Sequence, residues 1–270
     1  MMNKKHNTRS IKKNKISKNC NPLSMLTCYD YQSAQLLNET DLDLILVGDS
    51  VGNVILGYET TVEVTLEDMI TFGSAVKRGA KDKFVVVDLP FGTYSIADDA
   101  IRNSVKLFQK TKCEALKLEG ASANHLEIIR SLTATGIPVM GHIGLTPQSV
   151  HELGGYYQHG KTEQEGARLL KQAKDLQNAG CFAIVLECIT PLISAMITKE
   201  IKIPTIGIGS GKEVDGQVLV LNDLLKMGKE NPPSFCNPVS DLFELKKSHI
   251  SNYLFQIKNL KPNSNTDHVQ

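Results

Sequence analysis

Eight short apolar runs, most of them leading into a segment of helical period, predict a (β/α)8 or TIM barrel for this chain. The runs cover 25–28, 44–47, 84–87, 115–118, 137–140, 182–186, 204–208 and 218–221, and nearly all stop at an acid, a histidine or a glycine-rich turn. A doubly wound open sheet is the competing topology. No strand-turn-helix here carries G-x-G-x-x-G in frame, which disfavours a dinucleotide fold.

In chain order, the first run ends in Tyr29-Asp30 and opens a helix near 31–38. Four apolar residues, Leu44 to Val47, read as a strand buried on both faces that breaks off at Gly48-Asp49-Ser50. After a Gly- and Thr-rich connection, Thr65-x-x-Asp68 reads as a capping box for a helix with Met69, Phe72 and Val76 inward and a stop at Gly79. The third run ends in Asp88-Leu89-Pro90-Phe91, and its helix at 97–111 has Ile101, Val105 and Phe108 at helical spacing. The fourth carries Lys117 and ends in Glu119-Gly120, with a helix that stops before Gly136. The fifth ends in Gly141-His142 and a long loop. Thr162-x-x-Glu165 then opens a helix through Leu170, Ala173 and Leu176 to Gly180. The sixth run ends in Glu187-Cys188 and leads to a helix near 192–200, the seventh ends in Gly209-Ser210-Gly211, and 241–257 is a final helix. The implied division is a basic amino-terminal arm at 1–22, a barrel domain with a carboxy-terminal helix at 23–258, and a frayed tail at 259–270.

At 270 residues, with 41% hydrophobic and 22% charged residues, the chain suits a globular protein with a large core. No apolar run reaches the roughly 18 residues of a membrane span, so no membrane role is expected. Six scattered cysteines without a C-x-x-C pair point to free thiols in the cytoplasm. Residues 1–29 hold seven Lys/Arg and no acid, which leaves 23 bases against 29 acids elsewhere. No aromatic or Arg cluster accompanies those lysines, so the arm reads as a solvated, frayed extension and not as a nucleic-acid tether.

In a barrel the carboxyl ends of all strands share one face. Asp49-Ser50, Asp88, Lys117, Glu119, His142 and Glu187 would then meet at its mouth. Four acids cannot all stay ionised within a few ångströms without a cation, because like charges raise one another's pKa. An oxygen-rich set of this kind suits Mg²⁺. Bound to an oxyacid, such an ion acts as a Lewis acid and neutralises an enolate, while one carboxylate must stand apart as base.

The stretches T-C-Y-D-Y, L-V-G-D-S-V-G-N, V-T-L-E-D-M, D-L-P-F-G-T-Y, K-L-E-G, G-H-I-G-L-T-P-Q-S, G-G-Y-Y-Q-H-G-K, L-E-C-I, I-G-I-G-S-G and D-G-Q-V-L-V follow in unbroken order. Together they resemble the ketopantoate hydroxymethyltransferase family, within the wider phosphoenolpyruvate mutase and isocitrate lyase superfamily. That resemblance implies a TIM barrel assembled as a homo-oligomer, usually a decamer, that uses Mg²⁺ and 5,10-methylenetetrahydrofolate with 3-methyl-2-oxobutanoate as substrate. By matching position, Asp49, Asp88 and Glu119 would be the metal set. Ser50 and Lys117 would hold the ketoacid, His142 would line the pocket, and Glu187 would be the base. Asp49 and Asp88 would also reach the substrate. The chain departs from the family pattern at Tyr157, where a lysine is usual, and at Ser234-Phe235-Cys236-Asn237, where a basic segment is usual. A lyase or mutase acting on a related oxyacid is the second enzyme reading, and the absence of a K-K-C-G-H loop counts against the lyase. An inactive barrel tethered to nucleic acid through its arm is the non-enzymatic one.

Overall fold

A computed structural model describes residues 5–16 and 21–260 of the chain. Eight parallel strands close a barrel in sequence order: β1 Leu23–Thr27, β2 Leu44–Val47, β3 Phe84–Asp88, β4 Ala115–Glu119, β5 Val139–Gly144, β6 Ala183–Glu187, β7 Thr205–Ile208 and β8 Gly216–Leu219. The ring shuts where β8 pairs with β1, from Leu23 opposite Gly216 to Leu26 opposite Leu219. The helices are α1 Thr8–Ile16, α2 Tyr31–Asn38, α3 Leu66–Gly79, α4 Ala97–Thr111, α5 Ala123–Ala134, α6 Val150–Leu153, α7 Glu163–Ala179, α8 Pro191–Glu200, α9 Leu221–Leu224 and α10 Leu242–Lys258. The expected capping box at Thr65 and Asp68 is formed, and Thr162 and Asp30 cap α7 and α2.

Strand alternation decides what the barrel mouth contains. Leu44 and Leu46 of β2, Phe84 and Val86 of β3, Ala115 of β4, Met140 of β5 and Val185 of β6 share one buried apolar cluster. Side chains two apart point the same way. Asp88, Lys117, Glu119, His142 and Glu187 therefore continue the inward rows above that cluster. Asp49 breaks the count because it lies beyond the end of β2, in the following turn.

Several elements differ from the sequence expectation. β5 starts two residues later than expected and runs through His142 to Gly144, so the histidine lies within the strand. Pro138 and Pro204 lack an N–H and stand just ahead of β5 and β7, where each offers only a carbonyl, to Leu116 and Ile184. β8 begins at Gly216 and ends at Leu219, ahead of α9. In α4 the buried row is Ala100, Ser104, Leu107 and Thr111, one position off the larger Ile101, Val105 and Phe108, which are half-buried. Small residues let that helix lie close on the sheet. In α3 and α7 the buried positions are likewise Gly73 and Leu169 in place of Phe72 and Leu170.

The amino-terminal arm is not a frayed extension over its described part. Ile11 of α1 is fully buried and joins the same apolar cluster as Leu23, Met25 and Phe84. Lys15 reaches Asp215 Oδ2 at 2.8 Å and also bonds the Thr198 carbonyl. His6 Nε2 stands 2.9 Å from Asp43 Oδ1, and Asp43 Oδ2 accepts from the Ser24 N–H and hydroxyl at 2.8 Å. An amphipathic turn thus covers apolar residues that the strands alone leave open.

Two compact units divide the chain, one ending at Leu221 and the other beginning at Asn222; the boundary falls inside the stretch 23–258 read as one domain. Within the second unit, Asp241 accepts from Glu244 N and pairs with Lys226, and none of the residues of α10 is buried. The tail at 261–270 lies outside the described residues. Among those residues, no helix is long and apolar enough to cross a membrane, and Cys28, Cys113, Cys181, Cys188 and Cys236 are free thiols.

Candidate active site

The site begins where β2 ends. A Cβ on Gly48 would stand 2.9 Å from Ser50 Oγ and 3.5 Å from Asp88 Oδ2, so a bare backbone is what lets the two strand ends approach. There the Asp49 N–H donates to Asp88 Oδ2 at 3.1 Å. Ser50 Oγ hydrogen-bonds the buried Tyr29 hydroxyl at 2.7 Å, and the chain then makes a π-helical turn at Gly52–Leu56.

Lys117 is the buried cation of the cluster. Its Nζ lies 3.0 Å from Asp88 Oδ2, 3.7 Å from Glu119 Oε1 and 3.2 Å from His142 Nδ1. His142 continues the chain outward: Nδ1 is 3.3 Å from Glu119 Oε1, and Nε2 is 3.2 Å from Glu187 Oε2, within ion-pair reach but outside hydrogen-bond geometry. A protonated ring donates toward both carboxylates, whereas a neutral ring with its lone pair at Nδ1 accepts from Lys117. Asp49, Asp88, Lys117, Glu119 and His142 are all buried, while the Glu187 side chain is 17% exposed.

Burial and mutual repulsion set the charges. Burial, with Glu119 and Asp88 close by, pushes Asp49 up to about 8. Burial also raises Asp88, against the pull of Lys117. Burial opposes the charge on Lys117 too, but Asp88, Glu119 and Asp49 outweigh it and hold the ammonium above its ordinary range. For Glu119 burial is again overcome, by His142 and Lys117, and its carboxyl is held low. Burial and Lys117 push His142 down, yet Glu119 and Glu187 bring it up to about 9.

Glu187 owes its position to left-handed backbone on either side. Cys188 sits at φ +49°, a left-handed conformation that a side chain rarely adopts, held by Cys188 N to Ile208 O at 2.9 Å and His159 N to Cys188 O at 2.8 Å. Opposite, Gly144 at φ +98° leaves room for the Glu187 carbonyl, which a Cβ there would approach to 2.2 Å. Ser210, from the glycine-rich end of β7, is spent on structure, donating to Leu186 O and accepting from Ile189 N. Tyr157, at the first departure from the family pattern, stacks on His159 with ring centroids 4.5 Å apart.

Three residues of this neighbourhood were not among those expected at the site: Tyr29, which ends the first apolar run, and the loop residues Tyr94 and Gln148. Gln148 donates from Nε2 to Asp49 Oδ2 at 2.9 Å and from its backbone N–H to Glu119 Oε2 at 3.1 Å, and accepts from the Tyr94 hydroxyl. All three lie inside the quoted motifs, but loop positions carry no periodicity that announces them.

Among the described residues, no three His, Cys, Asp or Glu side chains form a ready-made metal cage. Asp88 Oδ1 and Glu119 Oε1 are nonetheless buried carboxylate oxygens without a hydrogen-bond partner. Mg²⁺ is commonly held by one or two carboxylates, with waters and substrate oxygens completing its octahedron. That donor set fits this ion.

The chain matches the family model described as ketopantoate hydroxymethyltransferase over residues 5–262. A relative from Geobacillus sp. (strain WCH70), named 3-methyl-2-oxobutanoate hydroxymethyltransferase, is 44% identical over 245 residues, covering 90% of this chain and 88% of that protein. One of the same name from Leptospira interrogans serogroup Icterohaemorrhagiae serovar copenhageni is 45% identical, covering 87% of this chain and 89% of the relative. Among solved structures, a phosphoenolpyruvate phosphomutase from Streptomyces platensis subsp. rosaceus superposes with a TM-score of 0.63 at 11% identity, over 98% of this chain and 92% of that one. A 2,3-dimethylmalate lyase of the PEP mutase/isocitrate lyase superfamily does so with a TM-score of 0.58 at 12% identity, over 97% and 91%. The two structural likenesses speak to the barrel alone, whereas the model match and the sequence relatives span nearly the whole chain, and on them the chain belongs to the ketopantoate hydroxymethyltransferase family.

Proposed function

We infer that this enzyme transfers a hydroxymethyl group from 5,10-methylenetetrahydrofolate to 3-methyl-2-oxobutanoate, giving 2-dehydropantoate for pantothenate and coenzyme A synthesis, with Mg²⁺ as its metal. The observation that carries the reading is the standing of Glu187. It alone of the four acids is partly open, 17% exposed against 4% or less for Asp49, Asp88 and Glu119, and it borders the cluster through His142 at 3.2 Å. One carboxylate apart from three buried ones is what enolisation next to a metal-bound ketoacid requires.

In this reading Asp49, Asp88 and Glu119 hold the ion, with Asp88 Oδ1 and Glu119 Oε1 as buried oxygens that no hydrogen bond satisfies. Bound there, Mg²⁺ supplies Lewis acidity to an α-ketoacid. Ser50 takes the substrate carboxylate and Lys117 the keto oxygen, where its buried ammonium stabilises the negative charge that develops. Glu187 accepts the C3 proton, and His142 backs it from the protein side. Water adds to the folate methylene carbon and breaks both of its carbon–nitrogen bonds, leaving tetrahydrofolate and formaldehyde; C3 then bonds to the formaldehyde carbon, whose oxygen takes up a proton and becomes the product hydroxyl.

The test is exchange of the C3 proton of 3-methyl-2-oxobutanoate in D₂O, followed by proton NMR without folate. Wild-type protein with Mg²⁺ is expected to exchange it, and no exchange would sink the reading. Glu187→Gln is expected to abolish exchange yet leave Mg²⁺-dependent ketoacid binding largely intact, whereas Asp88→Ala weakens the metal complex itself. Equal loss of binding in both variants would make Glu187 a ligand or a structural residue.

The reading extends to place and assembly. Free thiols support a cytoplasmic setting. The exposed Ile250, Tyr253, Leu254 and Phe255 of α10 support a homo-oligomer, a decamer by family resemblance.

A further inference from the structure

Gln148 spans three successive strand ends. Its Nε2 donates to Asp49 Oδ2, after β2, at 2.9 Å and to Leu89 O, after β3, at 3.0 Å; its backbone N–H donates to Glu119 Oε2, at the end of β4, at 3.1 Å. The remaining polar atom, Oε1, accepts from the Tyr94 hydroxyl at 2.5 Å. Both residues are buried, Gln148 at 5% and Tyr94 at 7% exposure. Every side-chain polar atom of Gln148 is therefore used, and the amide has one workable orientation. Turned over, its oxygen would face the Asp49 carboxylate and the Leu89 carbonyl, both acceptors, while its NH₂ faced the Tyr94 oxygen. The Asp49 and Leu89 acceptors fix that orientation, and the Tyr94 hydroxyl ties down the oxygen end of the amide.

We propose that Tyr94 and Gln148 form a positioning relay: Tyr94 anchors the oxygen end of the Gln148 side chain, and Gln148 clamps one oxygen of Asp49 and one of Glu119 so that these two carboxylates keep a fixed spacing. The relay rests on the reading of Asp49 and Glu119 as metal ligands. Neither Tyr94 nor Gln148 touches the reacting atoms. Their effect falls on metal affinity, because a carboxylate free to turn must be re-ordered each time the ion binds.

The experiment is calorimetric titration of Mg²⁺ into the full-length protein with saturating 3-methyl-2-oxobutanoate, for wild type, Tyr94→Phe, Gln148→Leu and the double variant. Tyr94→Phe removes one neutral hydrogen bond and keeps the ring, and is expected to weaken Mg²⁺ about fivefold. Gln148→Leu removes three hydrogen bonds, one of them to a carboxylate, and is expected to weaken it about tenfold to a hundredfold. Acting in series, the two are not additive: the double variant should match Gln148→Leu within about twofold. The Mg²⁺ concentration for half-maximal activity rises in parallel, while kcat at saturating metal stays near wild type. A Mg²⁺ affinity in Tyr94→Phe within about twofold of wild type, or losses that multiply in the double variant, would reduce the pair to packing and overturn the relay. Where Gln148→Leu does not fold, as judged by circular dichroism, Tyr94→Phe alone decides. If wild-type protein takes up no Mg²⁺, the metal reading itself falls, which is a different result from unchanged affinity in the variants.

Discussion

Lys117→Met tests the electrostatics of the mouth most sharply. The side chain is 4% exposed, and its ammonium stands 3.0 Å from Asp88 and 3.7 Å from Glu119. Methionine fills nearly the same volume without the charge, leaving Asp88 with the Asp49 N–H at 3.1 Å as its partner. Breaking a buried ion pair from one side costs about 3–5 kcal/mol, since an uncompensated charge stays in the interior. The protein has one escape, which is to protonate the carboxylate. Starting from an ordinary value of 3.8, that costs about 1.4 kcal/mol per pH unit, hence about 1.6 kcal/mol at pH 5 and nearly 6 at pH 8. The loss is therefore expected at about 3–5 kcal/mol at pH 8 and at no more than about 2 at pH 5. The sign follows from linkage: the variant's folded state holds a proton that the unfolded state has released, so its stability falls as pH rises toward the folded pKa. Urea unfolding of metal-free wild type and variant at both pH values measures the difference. A loss below about 1 kcal/mol at pH 8, or one equal at the two pH values, would mean that the cluster is solvated and that Lys117 does not neutralise it.

Gly144→Ala places a Cβ 2.2 Å from the Glu187 carbonyl at a φ of +98°, so β5 and β6 must part; proton exchange should fall by at least tenfold, and wild-type exchange would show that Glu187 tolerates displacement. Ile11→Ala empties a fully buried position in α1 and is expected to cost about 2–5 kcal/mol in urea unfolding, against near zero for a frayed arm. For Asp43, burial raises the carboxyl but the bonds from His6 and Ser24 outweigh it, so its folded pKa lies below the ordinary 3.8. The stability it contributes is complete above that value and lost as pH falls through the depressed one. Asp43→Asn should accordingly flatten part of the acid limb of a stability-pH curve, and an unchanged limb would exclude the contribution.

How much of this was legible in the residues follows from what one-dimensional patterns encode. Runs such as Leu44 to Val47 announce strands buried on both faces, and the acids that stop them announce a shared site, because parallel strands joined by helices bring all their carboxyl ends to one side. Thr65 with Asp68, and Thr162 with Glu165, mark helix starts through backbone chemistry that acts within four residues. Contacts between distant segments have no such local signature. Ile11 looks like one apolar residue in a lysine-rich arm until the open end of the barrel is there to receive it. Ala100 and Leu107 outrank Ile101 and Phe108 in burial only because the neighbouring layer demands a close approach. Gln148 and Tyr94 are ordinary loop residues in sequence, 54 positions apart. The sequence by itself determined the alternation of strands and helices and the identity of the converging acids, both of which arise from local propensity and polarity. Only the tertiary structure decided that Glu187 stands partly open and that Gln148 ties Asp49 to Glu119, because burial and charge coupling exist only once the ring of strands has closed.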